Sequence, residues 1–250
     1  MLEPLVIEDK GDSWGSGIWS YRNIVGRFIL RRGSLKTIEK GLVRTITESV
    51  LVYKKSRIVL QTIAYSGWPV LEFRLRVHWN EERKMLKLSV PTAFEDSRLL
   101  CEIPGGMIGR PADGQEYVLG RWFIIQGKLK GKEAALGVIN SGQHGIDFSD
   151  GEVRLSVLRS AAYCHEKGFR LGKSLAKKFM DQGVHEIHLL ITAGEKDNVL
   201  RLLSGLADWL SAPPAVYSHL PFDSAENEKA SSCERMSQDR VGKGIHEILS

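Results

Sequence analysis

Leu71, Phe73, Leu75 and Val77 alternate with Glu72, Arg74, Arg76 and His78. A period of two puts apolar side chains on one face and charges on the other, the pattern of a half-buried strand. After a polar break at residues 80–83, Leu86, Leu88 and Val90 alternate with Met85, Lys87 and Ser89, and Pro91 closes the run. Two alternating runs around a short polar link predict an antiparallel hairpin over residues 71–90. A slip of one residue would turn Arg74 and Arg76 into the core, so the register is well specified. Trp79 ends the first run, where its ring can pack and its N–H can reach a partner.

The rest of the chain repeats this theme. Residues 2–9 carry Leu5, Val6 and Ile7 and predict an edge or opening strand. Residues 25–30, 34–40, 43–53 and 56–64 are rich in β-branched and apolar side chains and are broken by Gly33, Gly41 and the pair Lys54 and Lys55. Residues 91–121 read as loop-rich, with one strand at 99–103. Strands follow at 122–125 and 134–140 around a Gly-rich basic turn at 127–132. A short strand at 145–148 turns at Asp150 and Gly151 into residues 152–158, and 184–191 is the last strand. Two stretches depart from the β pattern. Leu171, Leu175 and Phe179 fit either a helical turn or a basic surface loop. Val199, Leu202, Leu203, Leu206, Trp209 and Leu210 share one helical face that Pro213 and Pro214 stop. Residues 223–240 are polar, mixed in charge and nearly devoid of apolar side chains. The residues alone therefore predict a soluble all-β protein, a twisted sandwich with one short helix near the C-terminus.

Composition narrows the function classes. A chain of 250 residues can bury a sizeable core, and 42% hydrophobic with 26% charged residues is ordinary for a globular protein. The net charge is +5, with Lys and Arg scattered among acids rather than blocked together. That argues against nucleic acid as a partner. No apolar run approaches the ~20 residues of a membrane span, so no membrane partner is expected. Glu3, Glu8 and Asp9 interrupt any signal-peptide core. Cys101, Cys164 and Cys233 lie far apart, which suits reduced thiols and a cytoplasmic setting.

Candidate chemistry is sparse. Residues 12–21 form a glycine-containing loop with Trp14, Trp19 and Tyr21 beside Asp12. Aromatic faces stack on sugar rings or bases and an Asp accepts hydroxyl hydrogen bonds, so this loop is a recognition candidate. The alternative is that its tryptophans cover the end of the sandwich. His185 and His188 fall on opposite faces of a strand, which does not suit a shared metal. Cys164 and His165 are adjacent in sequence rather than arranged as nucleophile and base. Asp181 with Glu186, or Glu81 with Glu82, could be paired carboxylates, but their spacing fits solvated charges equally well. The glycines at 105, 106 and 109 lack the lysine and following helix of a phosphate loop.

A run of collinear segments resembles the C-terminal β-domain of glycoside hydrolase family 38, the α-mannosidases. HWNEERKMLK at 78–87 resembles that domain's W-x-E-x-x-K-x-L-K hairpin. EDKGDSWGSG at 8–17 resembles its D-T-W-x-H-G loop, and EIPGGMIGRP at 102–111 its E-I-P-x-G-x-x-x-R-P segment. GVINSGQHG at 137–145, VRLSVLRSAAY at 153–163 and DQGVHE at 181–186 follow in the family's order. The resemblance covers about residues 3–215. It implies a large antiparallel β-super-sandwich of the galactose-mutarotase-like type over residues 1–222, with residues 223–250 as a poorly ordered or truncated tail.

The reaction it implies is retaining hydrolysis of terminal α-mannosyl linkages by two carboxylates and a divalent metal, usually zinc. Those groups lie mainly in an α/β barrel and a three-helix region that the segments here do not match. No catalytic residue and no metal ligand is therefore assigned to this chain. The expected partners are an α-mannoside glycan and a catalytic barrel portion, of the same enzyme or of a partner chain. The resemblance places Asp12, Trp14 and Trp19 where the β-domain faces the cleft, as substrate contacts. Two departures stand out: Ser16 replaces the loop's His, and Ala161 replaces a Pro. The competing expectation is a free-standing carbohydrate-binding or purely structural sandwich without catalysis.

Overall fold

The computed structural model describes residues 2–163 and 179–215. Two antiparallel sheets face each other. The six-stranded sheet runs in the order β11 (Tyr117–Val118), β14 (Gly145–Ser149), β15 (Glu152–Arg159), β8 (Lys84–Pro91), β1 (Glu3–Glu8) and β2 (Ile24–Arg27). The ten-stranded sheet begins with β10 (Gly106–Arg110), β9 (Glu95–Ile103), β12 (Trp122–Leu129), β13 (Lys132–Asn140) and β16 (Gly183–Gly194). It continues through β7 (Leu71–Trp79), β6 (Ser56–Tyr65) and β5 (Arg44–Tyr53), which pairs with both β3 (Ile29–Leu30) and β4 (Lys36–Lys40). One helix, α1 (Lys196–Ser211), completes the described chain. The all-β sandwich with a C-terminal helix is thus the observed architecture.

Alternation builds the core. Val6, Leu86, Leu88, Val153 and Leu155 point inward from one sheet and meet Leu75, Val77, Phe123, Leu136 and Leu189 from the other. The period of two in 71–79 and 84–91 is therefore correctly placed, but the hairpin is not. β7 pairs with β6 and β16, and β8 pairs with β1 and β15. Residues 80–83 carry the chain from one sheet to the other. Both edges of β8 are taken, by β1 and by β15, and both its faces are buried, so it sits mid-sheet rather than beside its neighbour in sequence. Trp79 also departs from expectation. It is fully buried, its ring centroid lies 6.4 Å from that of Phe28, and among the described residues its indole N–H has no partner.

Three further differences have local causes. β1 is an interior strand, held by β8 and β2, because Pro4 to Ile7 are buried on both faces. The predicted strand 25–30 splits at buried Phe28, where the chain leaves the six-stranded sheet as β2 and joins the ten-stranded one as β3. The loop-rich segment holds the hairpin β9–β10, since Pro104 and Gly105 form a tight turn with Gly105 at φ +83°. The helical turn or loop expected around residues 169–179 and the polar tail at 223–250 lie outside the described residues, apart from Phe179.

Helix α1 lies on the outer face of the ten-stranded sheet. Val199, Leu203, Leu206 and Ala207 are buried against Trp122, Ile124, Ala135, Ile139 and Leu190. Gly137 makes this close approach possible, since a Cβ there would stand 2.5 Å from Leu203 Cδ2 and 3.0 Å from Val199 Cγ1. Gly137→Val should lift the helix and cost about 1–3 kcal/mol, as overpacking does. Urea unfolding of the variant would measure it, and an unchanged midpoint would mean the helix does not seat on β13.

Candidate functional site

The aromatic loop spans residues 9–23 between β1 and β2 and crosses the outer face of the six-stranded sheet. Tyr21, Leu5, Ile7 and Met85 form a small apolar cluster there, with Ile18 and Ile24 packed on it. Asp12 shapes the tip: its Oδ1 accepts the backbone N–H groups of Trp14 at 3.0 Å and Gly15 at 3.1 Å. Gly15 and Gly17 follow at φ +63° and +76°, a region other residues avoid. This turn throws both indoles outward. Trp14 is 70% exposed and Trp19 is 73% exposed, so neither plugs the sandwich.

Sequence reasoning missed the residue that clamps this loop. Arg159, at the end of β15, donates through Nη2 to the Asp12 carbonyl at 2.8 Å and through Nη1 to the Ser13 carbonyl at 3.4 Å. Its Nε and Nη2 reach the buried carboxylate of Asp9 at 2.9 and 3.1 Å. Its guanidinium lies 5.2 Å from the centre of the Tyr21 ring. Burial pushes the Tyr21 hydroxyl above its ordinary pKa, although Arg159 opposes the shift. The one signal in the sequence was that Arg159 falls inside the VRLSVLRSAAY segment.

Beneath the other end of the loop lies a second, larger group of charges. Lys87 of β8 is fully buried and donates to Asp147 of β14 and to Glu116. Arg22, near the end of the loop, also donates to Asp147. Glu116 accepts from the Ser156 hydroxyl, while its backbone N–H donates to the Trp19 carbonyl at 2.8 Å. Glu152 accepts from Ser89 at 2.5 Å and from Arg154 at 2.6 Å. Three cations and three carboxylates thus balance on the covered outer face of the sheet. Lys87, Asp147 and Arg154 look like ordinary polar positions of alternating strands in sequence, yet all three are buried in the fold.

Burial raises the Asp147 carboxyl above its ordinary pKa despite Lys87 and Arg22. Burial acts the same way on Glu152, but the hydrogen bonds from Arg154 and Ser89 outweigh it and hold that carboxyl below 4.5. Glu102 is likewise held low, burial being outweighed by Arg121. A carboxyl whose folded pKa is lowered contributes stability above its unfolded value and loses it as pH falls through the folded value. Stability should therefore decline as pH drops below 4.5, with Glu152→Gln and Glu102→Gln flattening that decline. Asp147 works in the opposite sense. Thermal melts of the three forms between pH 7 and 3 check the sign.

The remaining candidates have structural occupations. Glu81 is buried and accepts from the Ser56 hydroxyl at 2.9 Å and the Lys55 backbone N–H at 3.2 Å, so it does not form an acid pair with exposed Glu82. His185 contacts the Asp181 carbonyl at 2.8 Å, while His188 faces the outer side of β16 opposite Arg74. Cys101 is buried, and burial pushes its thiol up to about 12. Cys164 and His165 lie outside the described residues. Among the described residues no three His, Cys, Asp or Glu side chains converge as a metal would require. The zinc that the resemblance implies belongs to the barrel portion rather than to these residues. Among them, too, no helix is long and apolar enough to cross a membrane.

The sequence profile of the glycosyl hydrolases family 38 C-terminal domain matches residues 3–166. The chain belongs to this family. Two solved structures share its fold. One is a glycosyl hydrolase family 38 protein from Enterococcus faecalis, at TM-score 0.66, and the other an alpha-mannosidase from Enterococcus faecalis V583, at TM-score 0.67. Each is 9% identical and aligned over 86% of this chain, and this chain spans 28% of the length of either. No curated protein matches. At 9% identity the likeness is one of fold, and within that family 38 fold the loop at 9–23 is the described segment that presents paired, exposed aromatic faces.

Proposed function

We propose that this family 38 sandwich works with a catalytic α/β-barrel portion to hydrolyse terminal α-mannosyl linkages, the barrel supplying the two carboxylates and the divalent metal. Its own contribution is the wall of the cleft carrying Asp12, Trp14 and Trp19. The observation that supports this reading best is the held but exposed loop. Arg159 and Glu116 fix its backbone while Trp14 and Trp19 face outward. A flat indole suits the C–H side of a pyranose, and Asp12 accepts hydroxyl hydrogen bonds. Because Oδ1 of Asp12 is engaged within the turn, Oδ2 is the oxygen assigned to the sugar.

A second feature supports a protein partner. Ile29, Leu30, Leu35, Ile38, Leu42 and Val43 are all exposed along the β3–β4–β5 edge of the ten-stranded sheet, Leu42 at 95%. Apolar side chains gathered along one edge mark an interaction surface. The test is association and turnover with the barrel portion from the same source. The sandwich alone should not turn over aryl α-mannosides with or without zinc, the mixture should, and Leu42→Asp with Val43→Asp should weaken association at least tenfold. Metal-dependent turnover by the pure sandwich, lost on replacing one of its carboxylates, would overturn this division of labour. An entirely monomeric sandwich that ignores the barrel would favour a free-standing carbohydrate-binding module.

A further inference from the structure

The opposite outer face of the sandwich holds a basic hollow that the mannoside reading does not use. The β5–β6 hairpin turns at Lys54 and Lys55, with Tyr53 paired to Ser56 and Lys54 at φ +42°. Beside this turn is a hollow of about 370 Å³ lined by Val52, Lys54, Lys55, Ser56, Arg57, His78 and Asn80. Three of the seven lining residues are cationic and none is acidic. The whole chain carries a net charge of only +5, so this concentration is local rather than a consequence of a basic protein.

The hollow has a fixed floor, and among the described residues no carboxylate pairs with the cations of its walls. Ser56 is 3% exposed and bridges the strands: it donates to Glu81 at 2.9 Å and accepts the Asn80 backbone N–H at 2.9 Å. Glu81 also takes the Lys55 N–H, and it is 6% exposed beneath the hairpin rather than lining the hollow. On the wall, Arg57 and His78 are cross-strand neighbours with Nη2 and Nε2 3.4 Å apart. An arginine whose described contact is a histidine rather than a carboxylate keeps its positive charge for a ligand. Lys54 lies 5.4 Å from the Tyr53 ring, which positions the ammonium without neutralising it.

We propose that this hollow binds a phosphate monoester, the charged end of a phosphorylated sugar. The Arg57 fork matches two oxygens of a tetrahedral oxyanion, and Lys54 and Lys55 supply point charges for the rest. A volume of about 370 Å³ exceeds what a bare ion needs and lies within the usual range of small-ligand sites. Val52, 39% exposed, offers the apolar surface against which a sugar ring could lie. The site is independent of the aromatic loop, because Arg57 and His78 point out from the ten-stranded sheet and the loop covers the six-stranded one.

The test is an NMR titration of the isotopically labelled chain at low ionic strength, where surface charge is least screened. Inorganic phosphate, glucose 6-phosphate and glucose are added separately while the backbone amides of Lys55, Ser56, Arg57 and Asn80 are followed. Saturable shifts are expected with both phosphates and not with glucose. Lys55→Glu with Arg57→Glu should weaken binding more than tenfold while leaving the remaining spectrum folded. Lys128→Glu with Lys132→Glu, the same charge change on the β12–β13 hairpin, should leave it within about twofold. Binding of glucose 6-phosphate at least threefold tighter than phosphate identifies the sugar phosphate as the ligand. Equal binding leaves an oxyanion site but overturns the sugar assignment. Unsaturable shifts, or equal weakening by both pairs of substitutions, would mean the hollow is only a charged surface.

Discussion

Lys87→Met should destabilise the domain by about 3–5 kcal/mol, the cost of removing one partner from a buried ion pair. The lysine is fully buried and bonded to two carboxylates, and the Asp147 side chain is itself 0% exposed. Methionine fills similar space, so the loss would come from charge rather than from a cavity. Arg22 would remain to hold Asp147, whereas Glu116 would keep only the Ser156 hydroxyl and its place under the loop. At about 2–4 °C per kcal/mol for a chain of this size, the melting temperature should fall by roughly 10 °C. An exposed control, Lys128→Met, should change stability by no more than about 0.5 kcal/mol.

The pH dependence of that loss gives an internal check. The Asp147 carboxyl already sits above its ordinary value because burial outweighs Lys87 and Arg22. A group whose folded pKa is raised binds its proton more readily in the folded state. Removing Lys87 strengthens that tendency, so the penalty should shrink as pH falls and Asp147 neutralises. A penalty below about 1 kcal/mol at pH 7, or one that grows on acidification, would mean the network is not the keystone beneath the loop.

The contrast between what was legible in the sequence and what was not follows from the range of the interactions. Alternation marked most strands, and the 3.6-residue spacing of Val199, Leu203 and Leu206 marked helix α1, because both are local signals. Pairing is not local. β7 and β8 share a period and a short polar link, yet lie in different sheets because both edges of β8 pair with strands far along the chain, β1 and β15. Asp12, Trp14 and Trp19 stood out by residue type. Arg159 and Asp9, which hold them, are 150 positions apart and become partners only when β15 and β1 enter the same sheet. Lys87 occupied a polar position of an alternating strand, and nothing local indicates that a loop from residues 9–23 will cover it.

The reading of the loop rests on two exposed rings. One stacked indole and one charge-assisted hydrogen bond amount to roughly 2–4 kcal/mol, which is millimolar at best without the rest of a cleft. The sandwich alone should therefore bind mannose too weakly for ordinary assays. Within a complex the same contacts add to those of the barrel, and their loss becomes measurable. Trp14→Ala with Trp19→Ala should remove about 2 kcal/mol of substrate binding, roughly a 30-fold fall in kcat/KM. The fold should not suffer, because both side chains are about 70% exposed. The most direct measurement is kcat/KM for an aryl α-mannoside by the sandwich–barrel complex, wild type against the double tryptophan variant, with association checked in parallel. The proposed function predicts the 30-fold fall with association unchanged; an unaltered kcat/KM in a fully assembled complex would contradict it and remove the loop from the site.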